Sequence, residues 1–298
     1  MENWHTYLTG ASKERQQERR GRWLTSLALL VIGALVVTIL LFLIAKGVRL
    51  FTTGEGKLTE FFFSPTWAPG AGVFGAAPMI VTSLIVTVVA GLIGLPFALA
   101  VALAVTEILP PVAKKLLQPV IELLVGIPSV VYGLVGLTVI VPAVRQLVGG
   151  GTGFGLVAAI GVLYLMIMPT MTSMAIEALQ AVPKQQRQAS AGLGATRWQT
   201  IHRVVLPAAR GGILTAMIFG MARAFGEALA VQMVIGNAAI MPTSLQSSAA
   251  TLTSVLTTGM GNTIMGTAAN DALWALALVL LAMSLLFNLG MRLVTKKG

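Results

Sequence analysis

Gln188-Ala189-Ser190-Ala191-Gly192-Leu193-Gly194-Ala195, followed by Val204-Val205-Leu206-Pro207, is a polar break between two long hydrophobic stretches. Its local chemistry specifies a shape. Val182 precedes a proline and is biased away from helix, whereas Pro183 suits a first helical position, so a short helix is predicted over about 183–191. Gly192 and Gly194 supply the backbone freedom to stop it and turn. Thr196, with Gln199 three residues on, is a capping-box pattern that starts a second helix. On that helix Trp198, Ile201 and Val205 fall on one side, with Arg197 and Arg203 largely away from the stripe. The product is helix, glycine turn, helix: a handle that a partner can grip.

Working outward, the surrounding chain belongs in a bilayer. Hydrophobic residues make up 56% of it and charged residues only 10%, with a mean hydropathy of +0.87, where soluble domains carry about 25% charge. The absence of cysteine excludes disulfides, thiol catalysis and Cys-ligated metals. Two histidines, His5 and His202, cannot build a His-rich metal site. The apolar run after Arg22 is too long for the core of a cleavable signal peptide and reads as a first membrane helix.

A hydrocarbon core of about 30 Å needs roughly 20 apolar residues per helix. Six stretches qualify, at about 24–45, 78–106, 117–142, 154–176, 211–236 and 271–294. Together they predict an all-α polytopic membrane protein with about six transmembrane helices. Pro119, Gly126-Ile127-Pro128 and Pro142 interrupt the third stretch, and such breaks are tolerated at membrane depth only where protein or a wet cavity satisfies the freed backbone.

Basic residues set the sidedness. Lys13, Arg15, Arg19, Arg20 and Arg22 lie before the first span, Lys114 and Lys115 in the 107–118 loop, and Lys184, Arg187, Arg197, Arg203 and Arg210 in the 177–210 loop. Arg292, Lys296 and Lys297 follow the last span, and all fall on one side of a six-span chain. The other side holds Lys46, Arg49, Lys57 and Arg145, so both termini and the handle are expected in the cytoplasm. The net charge of +10 is then topology and anionic-lipid contact, not nucleic-acid binding. Glu14 and Glu18, interleaved with the N-terminal basic residues, suit a solvated helix. The predicted organisation is a basic tail over 1–23, a first span and outer loop over 24–77, one membrane domain over 78–294 with its loop at 177–210, and a short tail over 295–298. Within the outer connections, Phe61-Phe62-Phe63 and Trp67 suit an interfacial element, and the Lys- and Arg-free 237–270 segment suits a docking surface or a plain connection.

Charges inside the spans need a reason. Arg223 and Glu227 stand at i, i+4 in the predicted fifth span, close enough on a helix to pair, and each costs roughly 2.5–3.5 kcal/mol at the bilayer centre. Gly212, Ala216, Gly220, Ala224 and Ala228 recur every four residues beside them, a ridge that lets helices approach closely. The charges therefore face protein or a pathway. Arg223 can hold a tetrahedral oxyanion through its planar fork of donors, or pin two helices through Glu227, or alternate between the two. Gly126-Ile127-Pro128-Ser129 adds a second anion-friendly feature if a helix restarts at Ser129 with its N–H groups aimed into the membrane; a packing kink is the other reading. Ser83, Thr87, Gly91, Gly94, Ala98 and Ala102 form a small-residue face on the second span that suits helix packing.

The polar break over 188–207 resembles the coupling loop of ABC importer permeases. That family's motif is Glu-Ala-Ala, three residues, Gly, nine residues, then Ile-x-Leu-Pro; Gly194, the gap and Leu206-Pro207 fall in register, while Gln188 and Val204 stand where the family has Glu and Ile. Gly126-Ile127-Pro128-Ser129-Val130-Val131-Tyr132-Gly133, Glu177-Ala178-Leu179-Gln180-Ala181-Val182-Pro183 and Ala222-Arg223-Ala224-Phe225-Gly226-Glu227, with Met233-Val234-Ile235-Gly236-Asn237, resemble the phosphate branch of these permeases. The last string is similar to the PstC type more than to its PstA-type sibling. The resemblance runs over about 78–292. It implies a type I ABC importer permease fold with a cytoplasmic coupling helix, a heterodimer with a PstA-type permease, two PstB-type ATPase subunits and an external phosphate-binding protein. It assigns ATPase coupling to Gln188, Ala189, Gly192, Gly194, Ala195, Leu206 and Pro207, and transport roles to Arg223 and Glu227, to which the helix restart adds Ser129.

The chain carries no Gly-x-x-x-x-Gly-Lys-Ser/Thr loop, so ATP is expected on the partners and no cofactor in this chain. Gly149-Gly150-Gly151-Thr152-Gly153-Phe154-Gly155 lacks the lysine and reads as a turn. Neither a Gly-x-Ser-x-Gly elbow nor a His-Glu-x-x-His pair is present, which argues against an intramembrane hydrolase. Two readings compete with a permease subunit of an ATP-driven importer: an autonomous ion-coupled anion carrier that uses Arg223 and Glu227 as a relay, and a membrane scaffold in which they are helix glue.

Overall fold

A computed structural model describes residues 13–296, so tail positions 1–12, with His5, and 297–298, with Lys297, lie outside the described residues. Among the described residues six helices are long and apolar enough to cross a membrane, and two of the predicted spans are redrawn. α1 (Lys13–Gly47) leads through α2 (Arg49–Thr52), α3 (Leu58–Phe63) and a hairpin of β1 (Trp67–Ala68) and β2 (Val73–Phe74) to α4 (Ala77–Leu103), which ends in a π turn over Ala104–Ile108. The hairpin, with Trp67 opposite Phe74, is the one sheet among the described residues.

The third span is corrected. α5 (Pro111–Gly126) is a separate helix that passes straight through Pro119, and the chain breaks at Ile127-Pro128. Helix restarts as α6 (Ser129–Val135) and continues through a π turn over Gly136–Ile140 into α7 (Val141–Val148). Pro142 therefore does not break the run, because the wider π turn before it accommodates the ring and the missing donor. Glycines 149, 150, 151, 153 and 155, all at positive φ, then turn the chain as the sequence indicates.

α8 (Leu156–Gln180) is the most buried of the spans. α9 (Lys184–Gly192) and α10 (Arg197–Thr200) follow, and a π turn over Ile201–Val205 joins α10 to α11 (Leu206–Phe225). The fifth span is also corrected: the helix ends at Phe225, short of the predicted 236, and residues beyond it form the short α12 (Leu229–Gln232). α13 (Leu252–Met260) and α14 (Ala268–Lys296) complete the chain.

α4, α8 and α11 form the interior, and small residues permit their approach. Gly212 leaves no room for a Cβ, which would lie 2.5 Å from that of Ala178, and Gly220 lies against Met171, so α11 packs on α8 along its predicted ridge. Ser83, Thr87, Gly91, Gly94, Ala98 and Ala102 of α4 are buried, and Gly91 meets Met221 of α11. α1, by contrast, exposes its leucines and touches the bundle mainly through Gly47 on Leu278 and Phe42 edge-on to Trp274, both of α14. Its 35 residues span about 52 Å, more than a hydrocarbon core requires. Near its start Glu18 and Arg22 pair at 3.4 Å on an exposed face.

The end of the bundle opposite the handle has its own small core of Leu50, Phe61, Phe74, Met79, Leu252 and Leu276. Arg49 ties α2 to the buried Asp271 of α14 at 3.2 Å. The 237–270 segment is not a loose connection: residues 249–255 are buried, and the Leu252 N–H donates to Ser83 Oγ of α4 at 3.0 Å.

Candidate functional site

Arg223 occupies the last turn of α11, half-buried, and its Nη1 donates to Thr170 Oγ1 of α8 at 2.7 Å. The predicted pair with Glu227 is not formed: among the described residues no carboxylate lies within ion-pair distance of Arg223. The reason is where the helix stops. Gly226 ends α11, so Glu227 leaves the helical lattice that would have placed it one turn above Arg223. Its carboxylate instead accepts the Ala230 N–H at 3.0 Å, capping the positive end of α12, and its carbonyl accepts from Thr253 Oγ1 at 2.7 Å. Glu227 thus ties the redirected chain to the tucked-in 249–255 segment, and the guanidinium is held by a neutral hydroxyl alone.

The break in the third span reaches the same region. Ser129 begins α6, half-buried, and Tyr132 one turn on spans the break by donating its hydroxyl to the Leu124 carbonyl at 2.8 Å. Gly133 lets α12 lie directly on α6, since a Cβ there would meet the Ala230 backbone at 3.0 Å. α6 and α12 are therefore neighbours, and Glu227, which caps α12, joins them to the end of α11 that carries Arg223. Sequence reasoning missed Thr170, Tyr132 and Thr253. A hydroxyl directly after Pro169 inside an apolar span was the available signal for Thr170.

The handle forms as its local chemistry predicts. Pro183 is the N-cap of α9 and not its first helical residue, which shifts the predicted helix by one position, and Gly194 at φ +79° makes the turn, its N–H donating to the Ala191 carbonyl at 3.0 Å. Gly192 ends α9 inside the helix, so one glycine makes the turn and not two. Thr196 and Gln199 exchange both capping-box bonds, at 2.8 and 3.3 Å. Gln188, Ala189, Gly192, Gly194 and Pro207 are exposed, while Ala195 and Leu206 are half-buried. Ser190 Oγ and Thr200 Oγ1 bond at 2.9 Å and lock α9 to α10. The stripe is corrected in one position: Ile201 and Val205 are buried but Trp198 is 66% exposed. The π turn over 201–205 alters the periodicity and turns Thr200, not Trp198, inward. Trp198, beside His202, and Leu193 stand out as large exposed side chains on the handle.

A helix bundle with six candidate spans that holds Arg223 at the end of α11 and extends a braced, exposed handle defines a polytopic membrane protein with an element built for docking. The chain belongs to the family of binding-protein-dependent transport system inner membrane components, whose model matches residues 94–297. It is a multi-pass ABC importer permease of the inner membrane, and membership implies ATPase and substrate-binding-protein partners. It is 47% identical over 293 residues, 97% of this chain and 95% of the relative, to the probable ABC transporter permease protein YqgH of Bacillus subtilis. It is 30% identical over 276 residues, 85% of this chain and 84% of the relative, to the phosphate transport system permease protein PstC of Mesorhizobium japonicum. Among solved structures, a bacterial alginate ABC transporter in complex with an alginate-bound periplasmic protein has the same fold, with a TM-score of 0.63 at 17% identity, covering 94% of this chain and 98% of that one. The MetNI methionine ABC transporter gives 0.59 at 20% identity over 78% and 99%.

Proposed function

We propose that this chain is the PstC-type permease of an ATP-driven inorganic phosphate importer. The observation that carries the reading is Arg223, whose guanidinium is held by Thr170 and not neutralised by Glu227. Most of its donors remain free for an oxyanion, and a dianion gains more than a neutral solute from a guanidinium in a low-dielectric interior. In this reading Ser129, where the helix restarts as α6, is a second polar group of the same pathway, and the relatives named PstC point to phosphate among oxyanions.

In this reading the chain pairs with a PstA-type sibling, two PstB-type ATPases hold the ATP, and a phosphate-binding protein delivers cargo from outside. Both termini and the handle face the cytoplasm. ATP-driven closure of the ATPases pulls the 183–206 element and rocks α8 and α11, exposing the Arg223 face first outward and then inward. The test is ATP-dependent phosphate uptake by the reconstituted complex. Arg223→Ala is expected to abolish uptake while binding-protein-stimulated ATP hydrolysis persists, and Gly194→Arg to abolish both. Uptake that survives Arg223→Ala rejects the pathway assignment. A complex whose ATPase responds to a binding protein loaded with sulfate or molybdate, and not phosphate, rejects the substrate.

A further inference from the structure

The handle is joined to the bundle by the chain itself at α8 and α11 and by an apolar cluster in which Val182 and Val205 lie with Ala102 and Val105, and it carries a polar connection as well. Arg187, in the second turn of α9, donates through Nη2 to Glu107 Oε1 at 2.9 Å and through Nε to the same oxygen at 3.3 Å. The same guanidinium bonds the Leu179 carbonyl at 2.8 Å, in the last turn of α8, and the Val182 carbonyl just beyond it. Glu107 lies in the π turn that closes α4, and Lys114 reaches the neighbouring Thr106 carbonyl at 2.6 Å. Both charged side chains are mostly buried, at 23% and 14% exposure, so the pair is shielded from the screening that weakens surface ion pairs. The two residues stand 80 positions apart, and α4 has no covalent route to the handle other than through the α5–α8 region.

We infer that Arg187 and Glu107 are positioning residues that form the mechanical link between the coupling handle and α4. A pull on α9 reaches α8 through the backbone and reaches α4 through this carboxylate. α4 packs on α8 at Gly94 and Met171 and on α11 at Gly91 and Met221, so a pull carried by the carboxylate enters the three-helix interior at a second point. A π turn at the receiving end suits this role, since such bulges recur at functional sites in helices. The inference rests on the proposed role of the handle.

The experiment measures phosphate taken up per ATP hydrolysed by the reconstituted complex with its binding protein. Glu107→Gln keeps size and hydrogen bonding but removes the charge, and leaves the Arg187 bonds to α8 in place. It is expected to lower the ratio about three- to tenfold while ATP hydrolysis stays within about twofold of the unmodified complex. Glu107→Asp, which keeps the charge, is expected to recover most of the ratio. An unchanged ratio overturns the inference, as does a parallel fall of uptake and hydrolysis, or a Glu107→Gln complex that does not assemble. Gly194→Arg separates this outcome from a failure of the underlying reading. If it abolishes uptake while Glu107→Gln leaves the ratio intact, only the link is wrong; if it leaves uptake intact, the handle itself is misassigned.

Discussion

At the scale of single residues, Arg223 and Glu227 show what a sequence can and cannot disclose. Two charges in an apolar stretch are legible at once, because their cost demands a purpose. Their relation was not legible, since it turns on whether the helix continues through Gly226, and the capping demand of α12 and the Thr253 bond decide that from outside the local sequence. The same logic makes Thr170 testable. Thr170→Val removes the one hydroxyl that holds the guanidinium and leaves a half-buried cation short of an acceptor, which costs about 1–3 kcal/mol. The purified complex should melt earlier and take up phosphate more slowly, whereas Thr170→Ser should match the parent in both assays. Equal melting and uptake for the valine variant would show that Arg223 does not depend on α8.

At the scale of elements, the handle was the most legible part of the molecule, because its determinants are local: a proline before α9, a capping box before α10 and a glycine between them. The three π turns were not, since each answers to packing or to a neighbouring proline more than to its own five residues. The exposure of Trp198 follows from the last of these. Sequence reasoning assigned the turn to both Gly192 and Gly194, and the backbone angles divide them sharply. Gly194→Ala forces a side chain into the left-handed region at a cost of about 1–2 kcal/mol. Gly192→Ala sits in a helix with nothing within 4 Å of its added Cβ and should gain about 0.5–1 kcal/mol. Amide hydrogen exchange at Ala195 to Gln199 reads the difference directly: faster exchange in the first variant, and unchanged or slower exchange in the second. ATPase retention by the purified permease should follow the same order.

At the scale of the whole molecule, six spans were countable from hydropathy, but not which of them form the interior. The small-residue faces of α4 and α11 supply the answer, because Gly94 of α4 and Gly212 and Gly220 of α11 lie directly against α8, as Gly136 of the third span does against Val162. α1 carries the highest hydropathy of the spans and yet none of its most apolar window is buried; in a bilayer the most apolar helix is often the one facing lipid. Gly220 and Gly33 therefore predict opposite outcomes for one kind of change. Gly220→Leu drives a side chain into Met171 and pries α11 from α8, an overpacking cost of about 1–3 kcal/mol or more. The same displacement stretches the bond from Arg223 to Thr170, so uptake should fall further than stability alone dictates. Gly33→Leu adds a leucine to an exposed stretch of α1 with nothing within 4 Å and should alter the melting point by an amount equivalent to no more than about 0.5 kcal/mol. Comparable losses in the two variants would mean that α1 is part of the working interior and that the three-helix core is wrongly drawn.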